Sequence, residues 1–196
     1  MTRGPNKQFD PEVVLAKAME VFWARGYEAA SLSELLKNMG INKKSLYDTF
    51  GNKRSLFLKA LDYYGQTTIR SLKEELATTA SPLENLKQIL FKWQRQHGQP
   101  GSYGCMLGTN IADFNTDDVE IAQLFRAYLR HLEDVFCQVL QQAQAVGELS
   151  PNANPRDLAR MLLCTTQGMA IIGRILEDET LLASTVQSTL AYLEAS

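Results

Sequence analysis

Hydrophobic residues recur three and four apart along almost the whole chain, and no sustained period-two alternation appears. That spacing predicts an all-α fold. The punctuation agrees with it. Asp10-Pro11 reads as an N-cap with proline at the first helical position, Val14, Ala18 and Phe22 share one face, and Gly26 is the stop. Ser31-Leu32-Ser33-Glu34 has the form of a capping box. It opens a short second helix with Leu32, Leu35, Leu36 and Met39 on its buried side, ended by Gly40. Asn42 caps a third short helix from Lys43 to about Phe50, and Gly51-Asn52 gives a turn and a new cap. A long fourth helix is predicted over 53–79, with Leu56, Ala60, Leu61, Tyr64, Leu72 and Leu76 as its stripe. Ser81-Pro82 starts a fifth, over about 83–96, before a loop at 97–104 rich in Gly and Pro. Helices over 105–114, 117–146, 156–176 and 180–193 complete the expectation.

A chain of 196 residues suits one domain or two small ones. Its formal net charge of −2 taken alone argues against nucleic acid, but the charge is unevenly spread. Through residue 60 there are ten Lys/Arg against six Asp/Glu, and afterwards ten against sixteen. A basic third joined to an acidic remainder suggests two jobs. The three cysteines, Cys105, Cys137 and Cys164, form no CxxC, and His97 and His131 have no partner at ligand spacing. No metal site or disulfide framework is predicted. No Ser/His/Asp set or phosphate loop supports catalysis, so neither enzyme activity nor a cofactor is expected. The polar N-terminus lacks a signal-peptide core, and the apolar stretch 161–176 is too short to span a bilayer. The chain therefore reads as soluble and cytoplasmic, with no membrane partner.

Three short helices within residues 11–50, the second and third joined by Met39-Gly40-Ile41-Asn42, have a helix-turn-helix layout. In such a unit the second helix of the pair enters the DNA major groove. Leu46 and Phe50, four apart, can face inward together, which turns Lys43, Lys44, Tyr47 and Thr49 outward. Lysines attract phosphates, and hydroxyls bond phosphate oxygens or base edges.

The stretch from Ala18 to Leu61 resembles the N-terminal domain of the Tet-repressor (TetR, AcrR-like) family of bacterial transcription regulators. The matching residues are Ala18, Phe22, Gly26-Tyr27 and Ser31-Leu32, then Gly40-Ile41-Asn42-Lys43-Lys44-Ser45-Leu46-Tyr47 and Phe50-Gly51-Asn52-Lys53-Arg54-Ser55-Leu56-Phe57. Three positions depart from the family pattern: Ala30 stands where Thr is frequent, Leu36 where Ala is usual, and Asp48 where His is frequent. The resemblance implies a DNA-binding helix-turn-helix domain over 1–52 and a helical bundle over 53–196 for effector binding and dimerisation. It implies DNA contacts at Ser31, Lys43, Lys44, Ser45, Tyr47, Thr49 and Lys53. Tyr27 touches the backbone or packs, and Arg3 and Lys7 could reach the duplex as an arm.

The same resemblance implies a homodimer on double-stranded operator DNA, built by the last two helices. Leu158, Met161, Leu162, Thr165, Met169, Ile172 and Ile175 give the penultimate helix a broad apolar face, with Gly168 and Gly173 allowing close approach. Leu182, Val186, Leu190 and Leu193 do the same for the last helix. Some of these must be the chain's own core, and the sequence does not divide them. The family's ligand pocket lies in the C-terminal bundle. Trp93, Tyr103, Cys105, Met106, Phe114, Phe125, Tyr128, His131 and Gln167 are the residues expected to line it for a small-molecule effector. Cys105 follows a glycine loop at a helix start, which makes switching by its oxidation or alkylation an alternative. Cys137 and Cys164 are expected in the core. A repressor released by a small molecule is the function implied. An all-helical small-molecule-binding or interaction protein is the alternative outside DNA binding.

Overall fold

The computed structural model describes residues 9–110 and 118–195. Arg3, Lys7 and Phe114 lie outside the described residues. Among those described, the helices are α1 (Pro11–Arg25), α2 (Leu32–Met39), α3 (Lys43–Phe50), α4 (Lys53–Leu76), α5 (Pro82–Gly98), α6 (Met106–Asn110), α7 (Val119–Ala145), α8 (Pro155–Leu176) and α9 (Glu179–Ala195).

The starts of these helices are chemically marked. Asp10, Ser31, Asn42, Asn52 and Ser81 each accept a hydrogen bond from a backbone N–H two or three residues on, at 2.8–3.2 Å. This satisfies donors that the helix itself leaves unpaired. Gly40 closes α2 in the left-handed region, at φ 69°, and lets the chain turn sharply into α3. Glu34 of the capping-box stretch pairs with Arg25 at 3.2 Å and ties the end of α1 to α2.

Phe22 on α1 meets Phe57 on α4 edge to face, with ring centroids 5.0 Å apart. Leu35, Leu46, Ala18 and Leu56 are buried in the same cluster. Burying a side chain of that size stabilises by about 1.5–3 kcal/mol, so these few residues fix α1 and α3 on the first half of α4, with α2 held on α1. Leu32 and Leu36 are only half-buried, because Leu35 and Met39 take the centre of the face.

The second half of α4 enters the C-terminal bundle. There Asn85 on α5 is buried and fully used. Its Oδ1 accepts from Thr78, Thr79 N and Thr79 Oγ1, and its Nδ2 donates to Leu76 O and Thr79 O. α7 packs on α8, α5 packs on α8 and α9, and α4 packs on α7. α4 stops at Leu76, short of 79, and α5 continues through Gly98, so His97 is helical and the loop is shorter than the sequence suggested. Gly98 allows this by close contact: a Cβ there would sit 3.1 Å from Glu179 Cα. Gly173 brings α8 onto α5 within one chain, since its Cβ would meet His97 O at 2.5 Å, whereas Gly168 faces open space. Cys137 is buried, but Cys164 is exposed and is not core.

Candidate nucleic-acid interface and effector cavity

The interface begins with α3. Leu46 and Phe50 anchor it in the core. Lys43, Lys44, Tyr47 and Asp48 are exposed as a consequence, with Tyr47 47% exposed despite its ring. Asp48 lies four residues from Lys44 and so shares its face. Ser45 and Thr49 are half-buried, so Thr49 presents less surface than its position alone suggests. Ser31 is exposed at the start of α2, where its oxygen caps the helix and its hydroxyl proton can still donate outward. Lys53 opens α4. Its Nζ lies 4.6 Å from the centroid of the Tyr27 ring and 3.4 Å from Glu28 O. Tyr27 therefore packs, and it aims the lysine.

Arg54, one residue on, points the other way. It makes two hydrogen bonds to Asp118, at 2.8 and 3.0 Å, and one to Glu120 at 2.6 Å. The guanidinium holds the Asp118 carboxyl below the usual carboxylate range. Asp118 is also the N-cap of α7 and accepts from Ile121 N. The ion pair thus joins the first turn of α4 to the first turn of α7. The sequence motif includes Arg54 but gives no hint of these partners.

A cavity of about 300 Å³ lies among α1, α4, α5, α7 and α8. Trp93, Cys105, Tyr128 and Gln167 line it, as do Trp23, Tyr64 and His97, which sequence reasoning did not select. Trp23 belongs to α1. Its Nε1 donates to Gly104 O at 3.0 Å, and its ring stands 5.1 Å from that of Tyr64. The Cys105 sulfur lies 3.9 Å from the Tyr128 hydroxyl, and Gly108 N donates to it at 3.5 Å. Burial first, and Cys105 second, push both the Tyr64 and Tyr128 phenols well above their ordinary pKa. Burial likewise pushes His97 below its usual value, so it is neutral at pH 7.

The other residues expected in the pocket are elsewhere. Tyr103 is 48% exposed, because it sits on the loop. Met106 and Phe125 are buried outside the cavity walls. His131 lines a separate groove between α4 and α7.

The expected dimer residues also divide. Leu158, Met169, Leu182, Val186 and Leu190 are buried within one chain. Met161 and Thr165 are half-buried. Ile172 is exposed, and with it Ile171, Ile175, Leu176, Leu181 and Tyr192. Among the described residues no group of His, Cys, Asp and Glu could hold a metal, and no helix is long and apolar enough to cross a membrane.

Residues 14–60 match the family described as bacterial regulatory proteins, tetR family. Residues 82–189 match the tetracyclin repressor-like C-terminal domain. The chain is 33% identical over 193 residues to the HTH-type transcriptional regulator YezE of Bacillus subtilis (strain 168), covering 97% of this chain and 100% of that one. It is 32% identical to the HTH-type transcriptional repressor ComR of Escherichia coli (strain K12), over 88% of this chain and 83% of that one. A cysteine mutant of the TetR family transcriptional regulator CifR, solved with 26-bp double-strand operator DNA, superposes with a TM-score of 0.82 at 25% identity, covering 95% of this chain and 98% of that one.

Proposed function

Because the chain belongs to the TetR family of bacterial transcriptional regulators, we propose that it is a dimeric, sequence-specific repressor in the cytoplasm, released from its operator by a small molecule held in the 300 Å³ cavity. The observation that carries this reading is α3, which buries Leu46 and Phe50 and thereby presents Lys43, Lys44 and Tyr47 together. Lys53, Ser31, Ser45 and Thr49 complete the contact set proposed for DNA, and residues 1–52 form the reading head. A second copy covers the exposed apolar side chains of Ile171, Ile172, Ile175, Leu176, Leu181 and Tyr192, because apolar surface gathered on two consecutive helices is costly to leave wet.

The effector acts by its different affinity for two dimer states that differ in the separation of the recognition helices. Sequencing genomic fragments retained by the purified chain tests the proposal. One enriched, two-fold symmetric site is the expected result, and uniform recovery contradicts it.

One observation favours a second trigger, alkylation of Cys105: the residue lines the cavity. Iodoacetamide serves as the probe. The sulfur forms a bond to carbon, iodide leaves, and the thiol proton passes to solvent. Loss of operator binding on modification supports this trigger, and unchanged binding excludes it.

A further inference from the structure

Resting on the reading of the cavity as the effector site, we infer that its ligand is a small uncharged molecule, about one substituted aromatic ring in size, that carries a hydroxyl. A volume of about 300 Å³ is at the small end for ligand pockets. The rings of Trp23, Tyr64, Trp93 and Tyr128 give it flat apolar walls.

Charge is excluded by the walls themselves. Among the described residues, Glu75 and Lys92 are the ionised side chains lining the cavity, and they neutralise each other, with Nζ 2.8 Å from both carboxylate oxygens. His97 is neutral. An anion or cation entering here must break that pair or go without a counter-ion, and either is costly.

The demand for a hydroxyl comes from two wall residues. Gln167 Oε1 and His97 Nδ1 are buried and have no hydrogen-bond partner. Each carries a desolvation cost that nothing among the described residues relieves. A hydroxyl donates one proton and accepts at its oxygen. A ligand hydroxyl that comes within reach of either atom can therefore satisfy it, giving its proton to Gln167 or offering its lone pair to the imidazole. Gln167 reaches its position over α6 because residue 108 is glycine: a Cβ there would lie 3.1 Å from Oε1.

The test is calorimetric titration of the full chain with four probes on one frame: 4-tert-butylphenol, tert-butylbenzene, 4-tert-butylbenzoate and 4-tert-butylbenzylamine. The phenol is expected to bind saturably, about tenfold or more tighter than each of the others. It should also change the emission of Trp23 and Trp93, the chain's two tryptophans, both on the cavity wall. Gln167→Leu is expected to weaken the phenol about tenfold while leaving the hydrocarbon unchanged. It should also raise the melting temperature of the free protein, because the orphaned carbonyl is gone. A merely structural Gln167 would instead give a lower melting temperature and weaken every probe alike. Benzoate or amine binding as tightly as the phenol, with the tryptophan change, overturns the ligand class and leaves the effector cavity standing. Unchanged phenol affinity in Gln167→Leu overturns the hydroxyl contact. No saturable binding of any probe overturns the ligand class and the cavity as effector site together.

Discussion

Lys53 illustrates how local contacts hold a lysine at a helix start. A free lysine loses rotamer freedom when it binds a phosphate. Here the ring of Tyr27 and the carbonyl of Glu28 already hold the side chain beside the start of α4. Among the described residues Lys44 has no such support, and it faces outward because Leu46 and Phe50 face in. Both are expected to act on DNA through charge. Lys44→Ala and Lys53→Ala should each weaken operator binding at all sequences and lower the slope of log affinity against log salt by about one. Anisotropy titrations at several salt concentrations check this, and unchanged affinity in both variants contradicts the contact assignment. The outward set on α3 was legible because an i, i+4 pair fixes a helix face. The half-burial of Thr49 was not, since it depends on the neighbouring elements. Trp23 and His97 were missed for the same reason. The cavity is assembled from helices up to about 150 residues apart in sequence, and no local pattern records which faces converge.

Helix ends were the most legible elements, because caps are local chemistry: Asp10, Ser31, Asn42, Asn52 and Ser81 are all where the sequence marked them. What joins one element to another was not. The Arg54 pair with Asp118 spans 64 residues and connects the helix that follows the recognition helix to the start of α7. Its pH dependence has a definite sign. Asp118 has a folded pKa below the unfolded value of about 3.9. Its contribution is therefore complete above that unfolded value and is lost as pH falls through the lower folded one. Asp118→Asn keeps a competent N-cap and removes the charge. The variant should melt below the wild type at pH 7, and the gap should close as pH falls below about 4. A gap independent of pH over that range would mean that the ion pair contributes nothing.

Across the whole molecule, the two signs of charge sit in different parts of the chain. The first 60 residues carry a net +4 and the rest a net −6. A dipolar charge distribution of that sign steers the reading head towards DNA and keeps the bundle away from it. The bundle then has to join two copies, since one short recognition helix reads few base pairs and two-fold sites place half-sites about 34–36 Å apart. Gly173 and Ile175 of α8 separate folding from pairing. Gly173→Ala forces a Cβ to within 2.5 Å of His97 O inside one chain, and overpacking of that kind costs about 1–3 kcal/mol. It should lower the melting temperature of the chain. Ile175 is 74% exposed, so Ile175→Asp disturbs no packing within the chain. It places a carboxylate against its own copy only if the face pairs. Sedimentation is therefore expected to give a monomer for Ile175→Asp with its helical content retained, and operator affinity should fall steeply because two half-sites are no longer held together. A dimer that survives Ile175→Asp with undiminished affinity would place the interface elsewhere on the bundle.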